Sequence, residues 1–112
     1  MTTVQEYRFY RDEEGNPRVH VEESSSKLLA SFLEEDVQES SGVCLEILSA
    51  IKKVNRGELP AWRQVGNAHT VSLSLHEATI TSLFDASHEP CRMGLVQLQG
   101  VLESWLRFIR VA

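Results

Sequence analysis

The residues of this chain best suited to metal binding or acid–base catalysis are its four histidines, His20, His69, His76 and His88. No two of them stand at a spacing such as H-x-x-x-H, which brings paired ligands together on one helix. The run 88–91, His-Glu-Pro-Cys, has the residue types of the zinc deaminase signature, which requires H-x-E and P-C-x-x-C. Here the glutamate follows the histidine directly and no second cysteine comes after it. The pattern therefore predicts polar strand or loop histidines, and no metal site.

The cysteines and carboxylates give no catalytic pattern either. Cys44 and Cys91 stand far apart, which is typical of two reduced thiols in a cytosolic protein. The acid pairs at 13–14, 22–23 and 34–35 are sequence neighbours, and neighbours on a strand point to opposite faces. The chain has no P-loop, no G-x-G-x-x-G and no nucleophile elbow. We therefore expect no enzyme activity and no cofactor, although a ribonuclease-like pair of distant histidines stays open.

Charge is distributed unevenly along the chain. The net charge is −5, yet residues 1–46 hold eleven of the sixteen acidic residues and four of the eleven basic ones, a net of −7. Such a front half repels phosphate backbones and attracts basic proteins, so a protein partner is expected and nucleic acid is disfavoured. A merely solvated acidic surface is the alternative. The start of the chain lacks a signal-peptide pattern and no run is long enough to span a bilayer, so we expect a cytoplasmic protein with no membrane partner.

The first half of the chain must position these acids. Residues 5–10 alternate, a Gly-Asn-Pro turn lies within 12–17, and residues 18–22 alternate again, which predicts a β-hairpin. After a short polar break at 24–26, residues 27–33 are apolar and bounded by breakers. We predict a third strand there, with the start of a helix as the alternative.

A helix is predicted next. Glu34, Glu35 and Asp36 open it, where acids favour the positive end of the helix dipole. Apolar residues then recur at steps of three and four over 37–54, which is typical of an amphipathic helix. Gly57 is a natural residue to end it.

The second half repeats the order of elements. Three further strands are predicted, at 62–65, 69–75 and 78–84. A loop at 85–90 and a helix over 95–111 follow; a close contact would explain Gly100 inside that helix. The predicted order is β-β-β-α-β-β-β-α in a single domain, residues 1–112. This is an α+β fold with antiparallel sheet and two helices packed on one face, and the other face is open to solvent or a partner.

Three short motifs resemble the YacL family of small bacterial proteins. They are Tyr7-Arg8-Phe9-Tyr10-Arg11-Asp12, Phe32-Leu33-Glu34-Glu35-Asp36-Val37 and Trp62-Arg63-Gln64-Val65-Gly66-Asn67-Ala68-His69-Thr70, with Gly15 after the first. The family shows an aromatic-x-aromatic-x-Arg-Asp opening, an acidic segment before its first helix and a Trp-x-x-x-Gly step into a strand. Its longer insertion before the last helix is absent here, where 85–93 is brief.

The order of elements is also similar to the Whirly-type fold. Small acidic proteins of this type serve as immunity proteins in contact-dependent growth inhibition, where they neutralise nuclease toxins in the cytoplasm. The resemblance implies a Whirly-like immunity protein that binds a basic toxin domain, with no small-molecule ligand. A Whirly-like single-stranded nucleic-acid-binding or regulatory protein that uses the open sheet face is one alternative. A housekeeping YacL-family protein of unknown activity is the other.

The expected toxin-binding residues are carboxylates from three places in the predicted fold: the hairpin turn, the end of the second strand and the segment before the first helix. They are Asp12, Glu13, Glu14, Glu22, Glu23, Glu34, Glu35 and Asp36. Their charge would steer association with a basic domain and supply charge-assisted hydrogen bonds.

Overall fold

The computed structural model describes residues 7–23, 26–85 and 87–111. Within them, two antiparallel sheets and three α-helices form the predicted α+β fold. The strands are β1 (Tyr7–Arg11), β2 (Pro17–Val21), β3 (Ala61–Val65), β4 (His69–Ser74), β5 (Glu77–Ser82) and β6 (Cys91–Met93). The helices are α1 (Lys27–Phe32), α2 (Ser41–Asn55) and α3 (Leu95–Arg110), and a π-helix (Leu33–Val37) lies between α1 and α2. Residues 5–6 of the predicted first strand and 24–25 of the polar break lie outside the described residues.

The predicted hairpin is formed by β1 and β2. Phe9 pairs with Val19 across the hairpin, and both residues pack against the hydrophobic core. The Phe9 ring meets Trp105 of α3 edge to face at 5.0 Å between centroids, and Phe108 at 5.5 Å. Because a two-stranded sheet is marginal alone, this aromatic contact holds the hairpin on the rest of the fold.

The segment 27–33, predicted as a third strand, is helical, so that prediction is wrong and its helical alternative is right. Leu28, Leu29, Phe32 and Leu33 are all buried, and their steps of three and four match a helix period. The segment also lacks β-branched residues and is rich in good helix formers. The hydrophobic face of so short a helix has the same composition as a buried strand.

The start of the long helix is also displaced. Glu34, Glu35 and Asp36 lie in the π-helix, and α2 begins only at Ser41. The hydroxyl of Ser40 accepts the N–H of Val43 at 3.1 Å and caps α2. The acids therefore belong to a separate turn that joins two helices.

The larger sheet has the strand order β3-β4-β5-β6. Val71, Leu73, Ala78 and Ile80 share one face and are buried under the helices. The opposite face was predicted to be open to solvent or a partner; Ser72 and Ser74 are at least partly exposed there, but Thr70 is only 5% exposed. β6 was not predicted, since three residues between a proline and a glycine give too short a pattern to recognise.

Two apolar residues that end the predicted strands 69–75 and 78–84 lie beyond the strands that form. Leu75 stands in the turn after β4 and Phe84 in the bend after β5, and they are 56% and 80% exposed. Strand alternation stops applying where the strand stops, so it does not place these side chains.

The helices otherwise follow the sequence pattern. The stripe of α2 is buried at Cys44, Leu48 and Ile51, and Gly57 follows the helix with a φ of +79°. A close contact was expected at Gly100 of α3, but a Cβ built there would meet nothing within 4 Å. Among the described residues, no helix is both long and apolar enough to cross a membrane.

Candidate functional site

Arg18 on β2 joins the hairpin to the π-helix by contacting a carboxylate on each. Its Nε lies 3.0 Å from Oδ2 of Asp12, and its Nη1 lies 3.6 Å from Oε1 of Glu34. The other oxygen of Glu34 accepts the N–H of Val19 at 2.6 Å. The hydrogen bond to Asp12 raises the pKa of Arg18. Two of the predicted toxin-binding carboxylates are therefore compensated within the chain, where they fix the hairpin against the π-helix.

Asp12 also shapes the hairpin turn. Its Oδ1 accepts the backbone N–H of Asn16 at 2.9 Å and that of Glu14 at 3.0 Å, as aspartates do in turns. The bond from Asn16 lowers the pKa of Asp12. Gly15, with a φ of +85°, supplies the left-handed backbone that the turn requires. This turn holds Glu13 and Glu14 in a defined position at its tip.

Arg11 makes a second link between the same two regions. Its Nη1 donates to the carbonyl of Gly15 at 2.7 Å and to Oε1 of Glu39 at 3.2 Å, and its guanidinium lies 5.3 Å from the centroid of the Phe108 ring. A cleft of about 250 Å³ separates the hairpin turn from the π-helix. Its lining residues are Asn16, Pro17, Arg18, Glu34, Gln38 and Glu39.

The π-helix ends at a strained residue that the core holds in place. The N–H of Gln38 donates to the carbonyl of Leu33, five residues back, at 2.8 Å. Gln38 then turns the chain with φ +53° and ψ −134°, which is unusual for a residue with a side chain. The indole N–H of Trp105 donates to the Gln38 carbonyl at 2.9 Å, and the Gln38 amide donates to the carbonyl of Glu35 at 2.7 Å. These bonds hold the end of the π-helix in place.

Asp36 points from this turn into the protein. Its side chain is 4% exposed, and Oδ1 lies 3.1 Å from Nδ1 of His69, whose side chain is also 4% exposed. The carboxylate further accepts the N–H of Ala68 and that of His69, both at 3.1 Å. A Cβ on Gly66 would collide with the same carboxylate. Asp36 was predicted to bind a partner, but it is enclosed by the turn between β3 and β4 and holds that turn on the π-helix.

The eight predicted carboxylates do not form one cluster. Glu22 pairs with His20 at 3.0 Å, and together with Glu23 it follows β2 at the far end of the hairpin. A five-residue strand places that end about 16 Å from the hairpin turn. Glu22 and Glu23 are therefore not part of the surface around the turn.

Four exposed carboxylates remain on the two segments that flank the cleft, and we call them the acidic end: Glu13 and Glu14 in the hairpin turn, Glu35 in the π-helix and Glu39, which lines the cleft. Glu39 is paired with Arg11. The carboxylates of Glu13, Glu14 and Glu35 make no hydrogen bond or ion pair with any other part of the chain that the structure describes. The arrangement therefore has two layers. In the inner layer, carboxylates are paired with Arg11 and Arg18; in the outer layer, the carboxylates of Glu13, Glu14 and Glu35 have no cationic partner.

The groups able to do metal or nucleophile chemistry are scattered or buried. In the described part of the chain, no three His, Cys, Asp or Glu side chains stand close enough to hold a metal ion. Cys44 and Cys91 are buried, and burial raises the pKa of the Cys44 thiol to about 11 and raises that of Cys91 as well. Such thiols are poor nucleophiles at neutral pH.

Sequence reasoning missed the buried pairing of Asp36 with His69. The residues lie 33 positions apart and belong to two different motifs of the YacL resemblance. Gly66 was the available signal, because a glycine beside a short turn can mark a place where another group approaches closely. The motifs around Asp36 and Gly66 are therefore in direct contact in the fold.

Comparison with known proteins assigns the family. Searches of curated proteins and of solved structures give no match. Residues 5–89 match the uncharacterised protein family UPF0231, which is YacL-like and confirms that part of the sequence resemblance. The matched range contains the hairpin, the π-helix and the turn that Asp36 holds, and it ends before β6 and α3. Since the match spans well over half of the 112 residues, the chain belongs to the UPF0231 family.

Proposed function

We propose that the protein binds a basic protein domain at the acidic end, as a cytoplasmic immunity protein that neutralises a toxin of contact-dependent growth inhibition. The observation that carries this proposal is the outer layer of carboxylates. Glu13, Glu14 and Glu35 are exposed and have no cationic partner in the described chain. The hairpin turn and the π-helix that carry them form a frame, which Arg18 and Asp12 hold in place.

A rigid acidic surface suits tight binding to a nuclease-like domain. A nuclease binds phosphates, so the surface around its active site is basic. Carboxylates in fixed positions replace those phosphates, speed the encounter by electrostatic steering and make charge-assisted hydrogen bonds to Lys and Arg. Because the frame is already ordered, little conformational entropy is lost on binding.

The nucleic-acid alternative has less support on the open sheet face. That face carries Arg63 on β3 and Arg92 on β6, with Ser72 and Thr79 between them. Arg92 lies 3.9 Å from Glu77 of the same face. Among the residues that β3 to β6 direct to this face, no aromatic side chain is present to stack on a base.

Growth protection tests the proposal. The gene directly upstream should encode a large secreted protein with a variable, basic C-terminal domain. Co-expression of that domain alone should stop growth, and co-expression with this chain should restore growth and yield a co-purifying complex. The absence of such a neighbouring gene, or toxicity that this chain does not relieve, would contradict the immunity function.

A mobility shift with single-stranded oligonucleotides separates the alternative. The immunity proposal predicts no shift at micromolar protein. A shift that weakens with salt and is lost in Arg63→Gln/Arg92→Gln would instead support nucleic-acid binding on the open face.

A further inference from the structure

Three exposed apolar side chains stand at the end of the large sheet that the π-helix contacts. They are Val65, Leu83 and Phe84, which are 59%, 41% and 80% exposed. Val65 ends β3, and Leu83 and Phe84 follow β5 directly. Single exposed apolar residues are ordinary on a protein surface, but an almost fully exposed phenylalanine that follows Leu83, at the same end of the sheet as Val65, marks a candidate contact.

Hydrogen bonds place Leu83 close to the π-helix, which carries Glu35 of the acidic end. The N–H of Leu83 donates to the carbonyl of Ala68 at 2.9 Å, and the N–H of Ala68 donates to Asp36 in the π-helix at 3.1 Å. The side-chain amide of Asn67 donates to the carbonyl of Glu35 at 3.1 Å. Leu83 and the π-helix, with its exposed Glu35, therefore both contact the turn between β3 and β4.

The bend that carries Phe84 is held by local hydrogen bonds. The hydroxyl of Ser82 accepts the N–H of Phe84 at 3.3 Å and that of Asp85 at 3.1 Å. Asp85 in turn accepts both the N–H and the hydroxyl of Ser87, and the latter bond lowers its pKa. Phe84 is thus presented from an ordered bend beside an ionised carboxylate.

We propose that Phe84, with Leu83 and Val65, is the apolar anchor that enters a pocket of the same basic partner domain. This inference rests on the proposed function and adds the position of the contact. Protein interfaces concentrate their affinity in a few aromatic anchors surrounded by a polar rim. Two carboxylates belong to the neighbouring segments, Glu35 through the Asn67 contact and Asp85 directly after Phe84, and both complement a basic protein.

The same carboxylates argue against the other possible occupants of the patch. In a symmetric dimer through this surface, the carboxylates of Glu35 and Asp85 would approach those of the second copy. An anionic membrane surface would repel them as well. A basic domain is the occupant that gains from both the apolar anchor and these carboxylates.

Titration calorimetry with the purified toxin domain tests this inference. Phe84→Ser should weaken binding at least ~30-fold, because truncating an aromatic anchor has an effect of this order. Val96→Ser is the matched control, since Val96 is 72% exposed on α3 and outside the patch. It should bind like the wild type, and circular dichroism should show both variants folded.

The outcomes distinguish this inference from the proposed function. If the wild type binds and Phe84→Ser binds equally well, the anchor is wrong while the acidic end keeps its role. If the wild type does not bind, both proposals fail. Sedimentation of the chain alone and with vesicles containing 30 mol% phosphatidylserine completes the test. Self-association or vesicle binding lost in Phe84→Ser would assign the patch to a second copy or a membrane, and would overturn the inference.

Discussion

Asp36 and His69 form a buried pair, 3.1 Å apart, that joins the π-helix to the turn between β3 and β4. The carboxylate also accepts the N–H of Ala68 and of His69 itself. Two backbone N–H groups and one imidazole nitrogen thus converge on one enclosed carboxyl group, and the position of the π-helix depends on it.

Replacing Asp36 should therefore destabilise the fold strongly. Asp36→Asn keeps the shape but turns an NH2 group toward backbone donors, so we expect a loss of about 2–4 kcal/mol in the free energy of unfolding. Glu35→Gln is the control, because the carboxylate of Glu35 is exposed. Its free energy of unfolding should stay within about 0.5 kcal/mol of the wild-type value. Urea denaturation of both variants measures the difference, and equal stabilities would show that the buried pair does not hold the turn.

Two glycine substitutions should have opposite effects. In Gly66→Ala the new methyl group collides with the carboxylate of Asp36, so we expect a loss of about 2 kcal/mol or more. In Gly100→Ala nothing lies within 4 Å and the residue is exposed inside α3, so a gain of up to about 1 kcal/mol is expected. Denaturation midpoints at pH 7 report both changes.

The loss at Gly66 should be coupled to Asp36. In an Asp36→Ala background the carboxylate is gone, so adding Gly66→Ala should have a smaller effect than it has in the wild type. Additive effects in this double-mutant cycle would place the cause of the loss elsewhere than in the collision.

The buried thiol of Cys44 makes stability fall in alkaline solution. Burial raises its pKa to about 11 from the 9.0 of a free thiol. The folded state holds the thiol proton more tightly than the unfolded state does. The contribution of this thiol to the free energy of unfolding is therefore complete below pH 9 and is lost as the pH rises toward 11. Cys44→Ala lacks this pH-dependent contribution. It also loses the hydrogen bond that the Cys44 thiol donates to the carbonyl of Leu102 at 3.3 Å.

Unfolding free energies at pH 7.5 and 10.5 check this sign. Wild type should exceed Cys44→Ala at pH 7.5, and the difference should narrow at pH 10.5. A constant difference across that range would mean that the thiol titrates alike in the folded and unfolded chains.

The sequence predicted elements whose periodicity extended over several turns or alternations. The long stripe of α2 and the alternation of Val71 and Leu73 in β4 identified their elements and their buried faces. The prediction of a strand at 27–33 was wrong because seven apolar-rich residues are too few to distinguish a buried strand from a helix. The predicted strand 78–84 extended too far and included Phe84, because alternation does not show where a strand ends.

The candidate site was predicted in part. The acidic hairpin turn and the acidic segment before α2 do lie side by side, but that proximity depends on Arg18 and Arg11, which local patterns do not pair with distant acids. Sequence also does not distinguish Glu35, which is exposed, from Asp36, which is buried one position later. That distinction comes from the turn between β3 and β4, which encloses Asp36 and includes His69, 33 positions further along the chain.

Association kinetics of the toxin domain with a charge-neutralised variant test the central claim most directly. Glu13→Gln/Glu14→Gln/Glu35→Gln removes the outer layer of carboxylates. Glu58→Gln/Glu77→Gln/Glu103→Gln removes the same number of charges elsewhere and is the matched control. At low salt, the first variant should associate roughly 10-fold more slowly than the wild type, with weaker salt dependence, because steering depends on local charge; the control should associate nearly like the wild type. Equal association rates for the two variants would contradict the claim that the acidic end receives a basic partner.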